Sequence, residues 1–211
     1  MPINLFRRKP SEPAVDSTTP VFLVVGLGNP GRDYRENRHN IGFIVIDRLA
    51  EDIGVKLTRV QNRALTGSGM LDQVKVILAK PQTYMNLSGE SVSSLMRFYK
   101  VPHEHLMVIH DDIDLPYGVL RLRPGGGSAG QKGVQSIIER IGSQDFPRLR
   151  FGIGRPAGSK GGAGYVLQNF SAEEKKEMPF MVDAAVAALR LFIAEGLDAA
   201  MNRYNGSQLE D

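Results

Sequence analysis

The 211-residue chain contains no cysteine and no tryptophan. Without cysteine it can form no disulfide, use no thiolate nucleophile and hold no metal ion through sulfur. Its longest apolar run, from Met181 to Ala194, includes Asp183 and Arg190 and is too short to span a bilayer. We therefore expect a soluble, cytoplasmic protein whose chemistry relies on histidines, carboxylates, amides and hydroxyls.

The charge and length of the chain suggest a single, slightly basic domain. Lysine and arginine together number 26 against 23 acidic residues, and the isoelectric point is near 9.2. This balance permits a polyanionic partner without requiring one. Residues 1–20 are polar and proline-rich, which predicts a disordered extension, with a short transit peptide as the alternative interpretation. Residues 21–206 are expected to form the domain, and residues 207–211 a flexible tail.

Apolar patterns along the chain predict alternating strands and helices. We expect strands at residues 21–25, 64–70, 74–79, 106–110, 119–123 and 149–153, and helices at 41–53, 88–99, 131–141, from 171 onward and at 197–204. Ser88 is expected to cap the second helix, and Ser171 with Glu174 forms a capping-box pattern. The predicted fold class is α/β: a single domain with a twisted, mixed, mostly parallel sheet and helices on both faces.

A glycine-rich loop follows the first predicted strand. Gly26 to Gly31 matches the G-x-G-x-x-G pattern of dinucleotide-binding folds, in which the helix begins inside the motif. Here the residues after the motif are polar, and the apolar helix begins about ten residues too late. The sequence therefore argues against a dinucleotide site. The loop instead carries His39 toward the carboxyl edge of the sheet, where α/β proteins usually bind ligands.

A second glycine-rich loop, Gly126 to Gly130, matches the G-x-S-x-G pattern of serine hydrolases. That mechanism needs a histidine later in the chain, but all four histidines precede Ser128. Two interpretations stay open: a flexible linker, or a cradle in which backbone N–H groups and a helix N-terminus bind an anion. The cradle is favoured by the cations nearby in sequence, which are Arg121, Arg123, Lys132, Arg148 and Arg150.

Acidic residues follow the predicted strand that ends at His110. Clustered carboxylates suit a divalent cation, but neighbouring residues on a strand point to opposite faces. The alternatives are a solvated strand end or a carboxylate that orients a histidine. Asp111 is the best candidate for the last role. With His39, it would join polar residues expected at the same sheet edge, which are Asn29, Tyr34, Asn40 and Asn86. Such a set favours hydrolysis of an ester by water that His39 deprotonates.

Several motifs together resemble bacterial peptidyl-tRNA hydrolase. They are Gly26–Gly31, Tyr34, Arg38–Asn40, Tyr84–Gly89, His110–Asp112, Asp114–Pro116 and Arg148–Gly154, in order between Val21 and Gly206. The resemblance implies an esterase without metal or cofactor that cleaves peptide from the tRNA 3′ ribose and recycles tRNA from stalled translation. It implies that His39 is the general base, that Asp111 holds its tautomer, and that Asn29 reads the peptide amide.

The resemblance also implies substrate contacts around this centre. Asn86 would hydrogen-bond water or the substrate carbonyl, while Tyr34 and Tyr84 would contact the terminal nucleotide or peptide. Arg123 and Arg150 match basic positions that would clamp the tRNA 5′ phosphate, and residues 158–170 resemble a mobile flap. The implied partner is peptidyl-tRNA, through its acceptor stem and CCA end. We expect a monomer that does not bind membranes.

One departure separates this chain from the family pattern. Gln131-Lys132 stands where the family usually has His-Asn. Lys132 is expected either to contact a substrate phosphate or carbonyl, or to weaken catalysis. Two other hypotheses therefore stay open: a non-catalytic RNA-binding protein on the same scaffold, and an esterase for small substrates.

Overall fold

The structure is a computed structural model that describes residues 20–155 and 162–209. Almost all of the predicted N-terminal extension therefore lies outside the described residues, as do the start of the predicted flap and the last two residues of the predicted tail. The described residues form a single α/β domain around an eight-stranded sheet. None of their helices is both long enough and apolar enough to cross a membrane.

The described elements alternate along the chain as the sequence patterns predict. The strands are β1 (Val21–Gly26), β2 (Arg59–Gln61), β3 (Ala64–Leu71), β4 (Val74–Pro81), β5 (Leu106–Asp112), β6 (Val119–Arg123), β7 (Arg148–Gly152) and β8 (Gly206–Ser207). The α-helices are α1 (Ile41–Asp52), α2 (Ser88–Tyr99), α3 (Lys132–Ile141), α4 (Gly162–Val166), α5 (Ala172–Glu195) and α6 (Leu197–Tyr204). Strands β2 and β8 and helix α4 were not predicted.

The strand order is β2-β3-β4-β1-β5-β7-β6-β8. This order confirms the predicted mixed sheet, but parallel pairing is confined to the four central strands β4, β1, β5 and β7. The strands outside them pair antiparallel. Only two residues separate β2 from β3 and β3 from β4, and such short connections can join only antiparallel strands.

Helices cover both faces of the sheet, which explains why its central strands are continuously apolar. On β1, Phe22 and Val24 belong to the core beneath α1 and α5. Leu23 and Val25 point the other way, into the core beneath α2 and α3. All seven residues of β5 are buried, including the polar residues at its carboxyl end. The sheet thus carries buried polar groups to one edge.

Three local predictions have different outcomes. The capping box at Ser171 and Glu174 is present and begins α5. The predicted cap at Ser88 is wrong: Ser88 is already helical, and its hydroxyl donates to the carbonyl oxygen of Met85 at 2.8 Å. Ser207, expected in the flexible tail, pairs with Val119 in β8. The backbone N–H of Gln208 also donates to Gly118 at 2.7 Å, so hydrogen bonds to β6 and its preceding turn hold this segment.

The beginning of α1 packs directly on the carboxyl ends of β1 and β5. A Cβ atom on Gly42 would lie 2.4 Å from the backbone nitrogen of Leu27 and 2.6 Å from the carbonyl oxygen of Ile109. These distances are far below van der Waals contact, so only glycine allows this approach. The approach fixes the turn Arg38–Asn40, which immediately precedes α1, over the edge of the sheet.

We expect Gly42→Ala to destabilise the protein even though alanine is the better helix former. The helix-propensity gain is at most about 1 kcal/mol, whereas forced overpacking typically costs about 1–3 kcal/mol. Urea unfolding should show a lower midpoint for this variant. Gly164→Ala is the matched control, because a Cβ there meets no atom within 4 Å. Equal midpoints for the two variants would contradict the packing argument.

Candidate active site

A cleft of about 630 Å³ lies at the carboxyl edge of the sheet. It brings together six of the predicted site residues, which are Asn29, His39, Tyr84, Asn86, Asp111 and Lys132. Met85, Ile113, Val166 and Leu167 supply an apolar part of its wall, and Ser128 to Gln131 supply another side. Tyr34, Arg123 and Arg150 do not line the cleft. The structure therefore gathers most of the predicted site and leaves these three residues outside it.

His39 and Asp111 form the polar centre of the cleft. The Nδ1 atom of His39 lies 2.9 Å from each carboxylate oxygen of Asp111. Asp111 is the penultimate residue of the central strand β5 and is 3% exposed, while the His39 side chain is 12% exposed. A carboxylate can only accept from neutral imidazole, so this contact places the proton on Nδ1. The other ring nitrogen, Nε2, is then left with a free lone pair.

Asp111 remains a carboxylate despite its burial. Burial alone raises its pKa, but the hydrogen bond and charge of His39 and the amide of Gln131 outweigh burial. Together they hold the pKa of Asp111 below its ordinary value of 3.8. The carboxylate therefore keeps its charge throughout the pH range in which histidines titrate.

Asn29 is fixed by bonds on both its backbone and its side chain. The Asn40 side chain accepts from the Asn29 backbone N–H at 2.8 Å and donates to its carbonyl oxygen at 2.9 Å. The Oδ1 atom of Asn29 accepts from the backbone N–H of Met85 at 2.9 Å. This bond orients the amide group, and no bond within the described residues engages its Nδ2 donor. Asn29 thus presents a donor at the cleft wall.

Tyr84 and Asn86 lie on the rim of the cleft beside Met85. The tyrosine is 61% exposed, and Asn86 is exposed in the turn Met85–Leu87. Lys132 is exposed at the first position of α3, on another part of the rim. These side chains can contact a bound molecule without first being released from the protein interior.

Arg38 was missed as a site residue, although it lies next to His39 in the motif. It is 6% exposed and donates to the carbonyl oxygen of Asn169 at 2.6 Å and to Glu174 Oε2 at 2.5 Å. Its guanidinium also lies 4.3 Å from the centre of the Tyr165 ring. These bonds tie the segment after α4 to the turn that carries His39. Of the predicted flap, residues 158–161 lie outside the described part of the chain, and the following segment is anchored.

Four arginines occupy one face of the β6–β7 pair. Arg121 is in register with Arg150, and Arg123 with Arg148, while the leucines between them face the core. Burial and the neighbouring Arg150 lower the pKa of Arg148 to about 10. The Nε atom of Arg150 donates to Asp112 Oδ2 at 2.5 Å, and Asp112 lines the cleft. Of the predicted basic residues, Arg150 therefore adjoins the cleft through the carboxylate of Asp112.

The structure bears on two alternative interpretations of the loops, a metal site and an anion cradle. In the described part of the chain, no cluster of three or more histidines and carboxylates is arranged to hold a metal ion. Asp112 and Asp114 instead bond to Arg150 and Arg155. The anion cradle at the start of α3 loses its two foremost donors, because Gln131 Oε1 already accepts from the N–H groups of the next turn.

The fold and cleft define a class of protein: a single α/β domain with a histidine–aspartate pair at the carboxyl edge of a mixed sheet, an arrangement suited to hydrolytic enzymes. The profile of the peptidyl-tRNA hydrolase family matches residues 23–211. The chain belongs to this family and is an enzyme of it.

Known members resemble the chain over most of its length. It is 50% identical over 183 residues to the peptidyl-tRNA hydrolase of Desulforamulus reducens, covering 87% of this chain and 88% of that one. It is 46% identical to the chloroplastic enzyme of Arabidopsis thaliana over 185 residues, which span 87% of this chain and 64% of the plant protein. The crystal structure of peptidyl-tRNA hydrolase from Acinetobacter baumannii superposes with a TM-score of 0.84 at 37% identity, covering 90% and 97% of the two chains.

A buried histidine beside the site makes the stability of the fold depend on pH. Burial lowers the pKa of His110 below its ordinary 6.5, against the raising effects of Asp111 and Asp112. As the pH falls through 6.5, His110 therefore binds a proton in the unfolded chain but stays neutral in the folded chain. The contribution of His110 to the free energy of unfolding is therefore fully present above pH 6.5. It falls as the pH drops toward the pKa of the folded state, by at most about 1.4 kcal/mol per pH unit.

We expect His110→Leu to remove this component from the pH dependence of unfolding. The measurement is urea unfolding at several pH values between 8 and 5, compared with the unsubstituted protein. His103→Gln, in the turn before β5, serves as the control for losing a histidine. If His110→Leu loses as much stability on acidification as His103→Gln does, the buried histidine is not responsible.

Proposed function

We propose that this protein hydrolyses the ester between a peptide and the 3′ ribose of tRNA, and so recycles tRNA from stalled translation. Family membership supports the activity, and the contact of His39 Nδ1 with Asp111 supports the mechanism. His39 Nε2 takes a proton from water while the water oxygen attacks the ester carbonyl. The bond from that carbon to the ribose 3′ oxygen then breaks, and the imidazolium returns its proton to the leaving oxygen.

Asp111 has an electrostatic role in this mechanism. Its carboxylate keeps the Nδ1 proton in place, so that Nε2 remains the basic atom facing substrate. It also stabilises the imidazolium that forms when His39 accepts the proton. Because Asp111 is buried, its charge acts in a medium of lower effective dielectric constant than water.

Asn29 would select peptides over free amino acids through its Nδ2 group, which no bond within the described residues engages. Its Oδ1 is held by Met85, so Nδ2 is the group presented to the substrate. A blocked amino group carries a carbonyl oxygen that can accept from Nδ2. A free aminoacyl group lacks that carbonyl, and its ammonium would face a donor. Selectivity for peptidyl-tRNA follows from this orientation.

The remaining residues would bind the nucleic acid. Asn86 would hydrogen-bond water or the ester carbonyl, and Tyr84 and Tyr34 would contact the peptide or the terminal nucleotide. Lys132 would contact a phosphate near the 3′ end. Arg123 and Arg150 belong to the arginine face of β6 and β7, which suits the phosphates of the acceptor stem. We propose that a monomer carries out all these contacts.

The decisive test is cleavage of N-acetyl-aminoacyl-tRNA beside free aminoacyl-tRNA, both in EDTA. We expect rapid release from the blocked substrate alone. His39→Ala should lose about 10²- to 10⁴-fold in kcat, the usual contribution of a general base, while tRNA binding survives. Near-normal turnover by this variant would rule out the mechanism.

The arginine face and the Gln131-Lys132 departure favour one alternative, a protein that binds RNA without cleaving it. In the same assay this alternative predicts salt-sensitive tRNA binding with no release from either substrate. Cleavage of a simple activated ester, with no cleavage of tRNA esters, would instead indicate the small-substrate esterase.

The proposed role of Asn29 predicts the effect of Asn29→Asp. This substitution keeps the acceptor for Met85 but replaces the Nδ2 donor with a charged oxygen. We expect kcat/KM for the blocked substrate to fall by about 10- to 100-fold, the cost of losing a hydrogen bond and leaving a polar group unpaired. The preference over free aminoacyl-tRNA should shrink. Asn62→Asp, in the β2–β3 turn outside the cleft, controls for the added charge. An unchanged preference would assign the selectivity elsewhere.

A further inference from the structure

We propose that Gln131 is a positioning residue for this reaction, joining the first turn of α3 to Asp111 and holding the carboxylate in place for His39. The inference rests on the proposed roles of His39 and Asp111. Gln131 itself need not touch the substrate: its effect on the chemistry passes through Asp111.

Both ends of the Gln131 amide are engaged. Its Oε1 atom accepts from the backbone N–H groups of Gly133 at 2.6 Å and Val134 at 2.9 Å. Its Nε2 atom donates to Asp111 Oδ1 at 3.0 Å. Backbone N–H groups can only donate and a carboxylate can only accept, so the amide has one consistent orientation. Gln131 therefore caps helix α3 and at the same time donates a hydrogen bond to the carboxylate of Asp111.

Asp111 needs this second donor. His39 Nδ1 is 2.9 Å from both carboxylate oxygens of Asp111. With this donor alone, the carboxylate could rotate so that either oxygen accepts the hydrogen bond. Within the described residues, Gln131 supplies the only other hydrogen bond to this side chain. A buried carboxylate with too few donors is costly, and it relaxes by rotating or by admitting water. The bond to Oδ1 opposes both changes.

The start of α3 lies close to the elements that line the cleft. A Cβ atom on Gly133 would lie 2.5 Å from Met85 Sδ and 2.8 Å from a methyl group of Leu27. The first turn of α3 thus packs closely against side chains of the loop after β1 and the turn Met85–Leu87. The same turn binds Asn29 through the backbone N–H of Met85. A side chain anchored on α3 therefore positions Asp111 relative to the rest of the cleft.

Two substitutions separate capping from carboxylate positioning. Gln131→Ser restores a short cap for α3, since serine is among the best capping residues, but its hydroxyl cannot cap the helix and reach Asp111 together. Gln131→Ala removes both functions. The cap should make the serine variant more stable than the alanine variant in urea unfolding. If Gln131 positions Asp111, both variants should nevertheless lose kcat about equally, by roughly tenfold or more, with little change in KM.

A spectroscopic readout keeps this test independent of turnover. The His39 Nδ1 proton, hydrogen-bonded to a fixed carboxylate, should give a downfield proton resonance that His39→Ala identifies by its loss. We expect this signal to weaken or move upfield in both Gln131 variants. If Gln131→Ser retains kcat and this resonance, Gln131 is only a cap and the inference is overturned. Failure of the unsubstituted protein to cleave peptidyl-tRNA would instead refute the proposed function, while the resonance would still report on positioning.

Discussion

The buried carboxylate of Asp111 is the constraint on which the site depends. A charge that is 3% exposed must be met by donors, and the chain supplies them from two distant segments. His39 reaches it from the turn before α1, and Gln131 from the turn before α3. Neither donor is near Asp111 in sequence, so the carboxylate is satisfied only when the sheet and both helices have assembled. The same bonds that stabilise the charge orient the His39–Asp111 pair.

Close backbone packing makes this convergence feasible. A Cβ atom on Gly26 would lie 2.1 Å from the carbonyl oxygen of Gly42, and one on Gly28 would lie 2.9 Å from the ring of Phe43. The first glycine motif therefore allows α1 to approach β1, which is a packing role and not a phosphate-binding one. The glycines that match the nucleotide-binding pattern thus help to position His39, because they let α1 and the turn before it lie against the sheet.

Much of this arrangement could be predicted from local patterns. Apolar periodicity located the main strands and helices, and placing strand ends at one edge was enough to pair His39 with Asp111. Long-range hydrogen bonds gave no such local signal. Nothing in the sequence near Arg38 indicates that its partners are Asn169 and Glu174. Gln131 stood out only as a departure from a family pattern. Its two bonds depend on the distance between a helix end and a neighbouring strand.

At the end of β5, neighbouring side chains point to opposite faces of the sheet. Asp111 points to the side where His39 lies, whereas Asp112 bonds to Arg150 on the face that carries the arginines of β6 and β7. Neighbouring residues of one strand thus contact His39 on one face and the arginines on the other. A charge close to a histidine shifts the equilibrium between its neutral and protonated forms. The arginines proposed to bind phosphates therefore lie on the opposite face of the strand from His39, the proposed base.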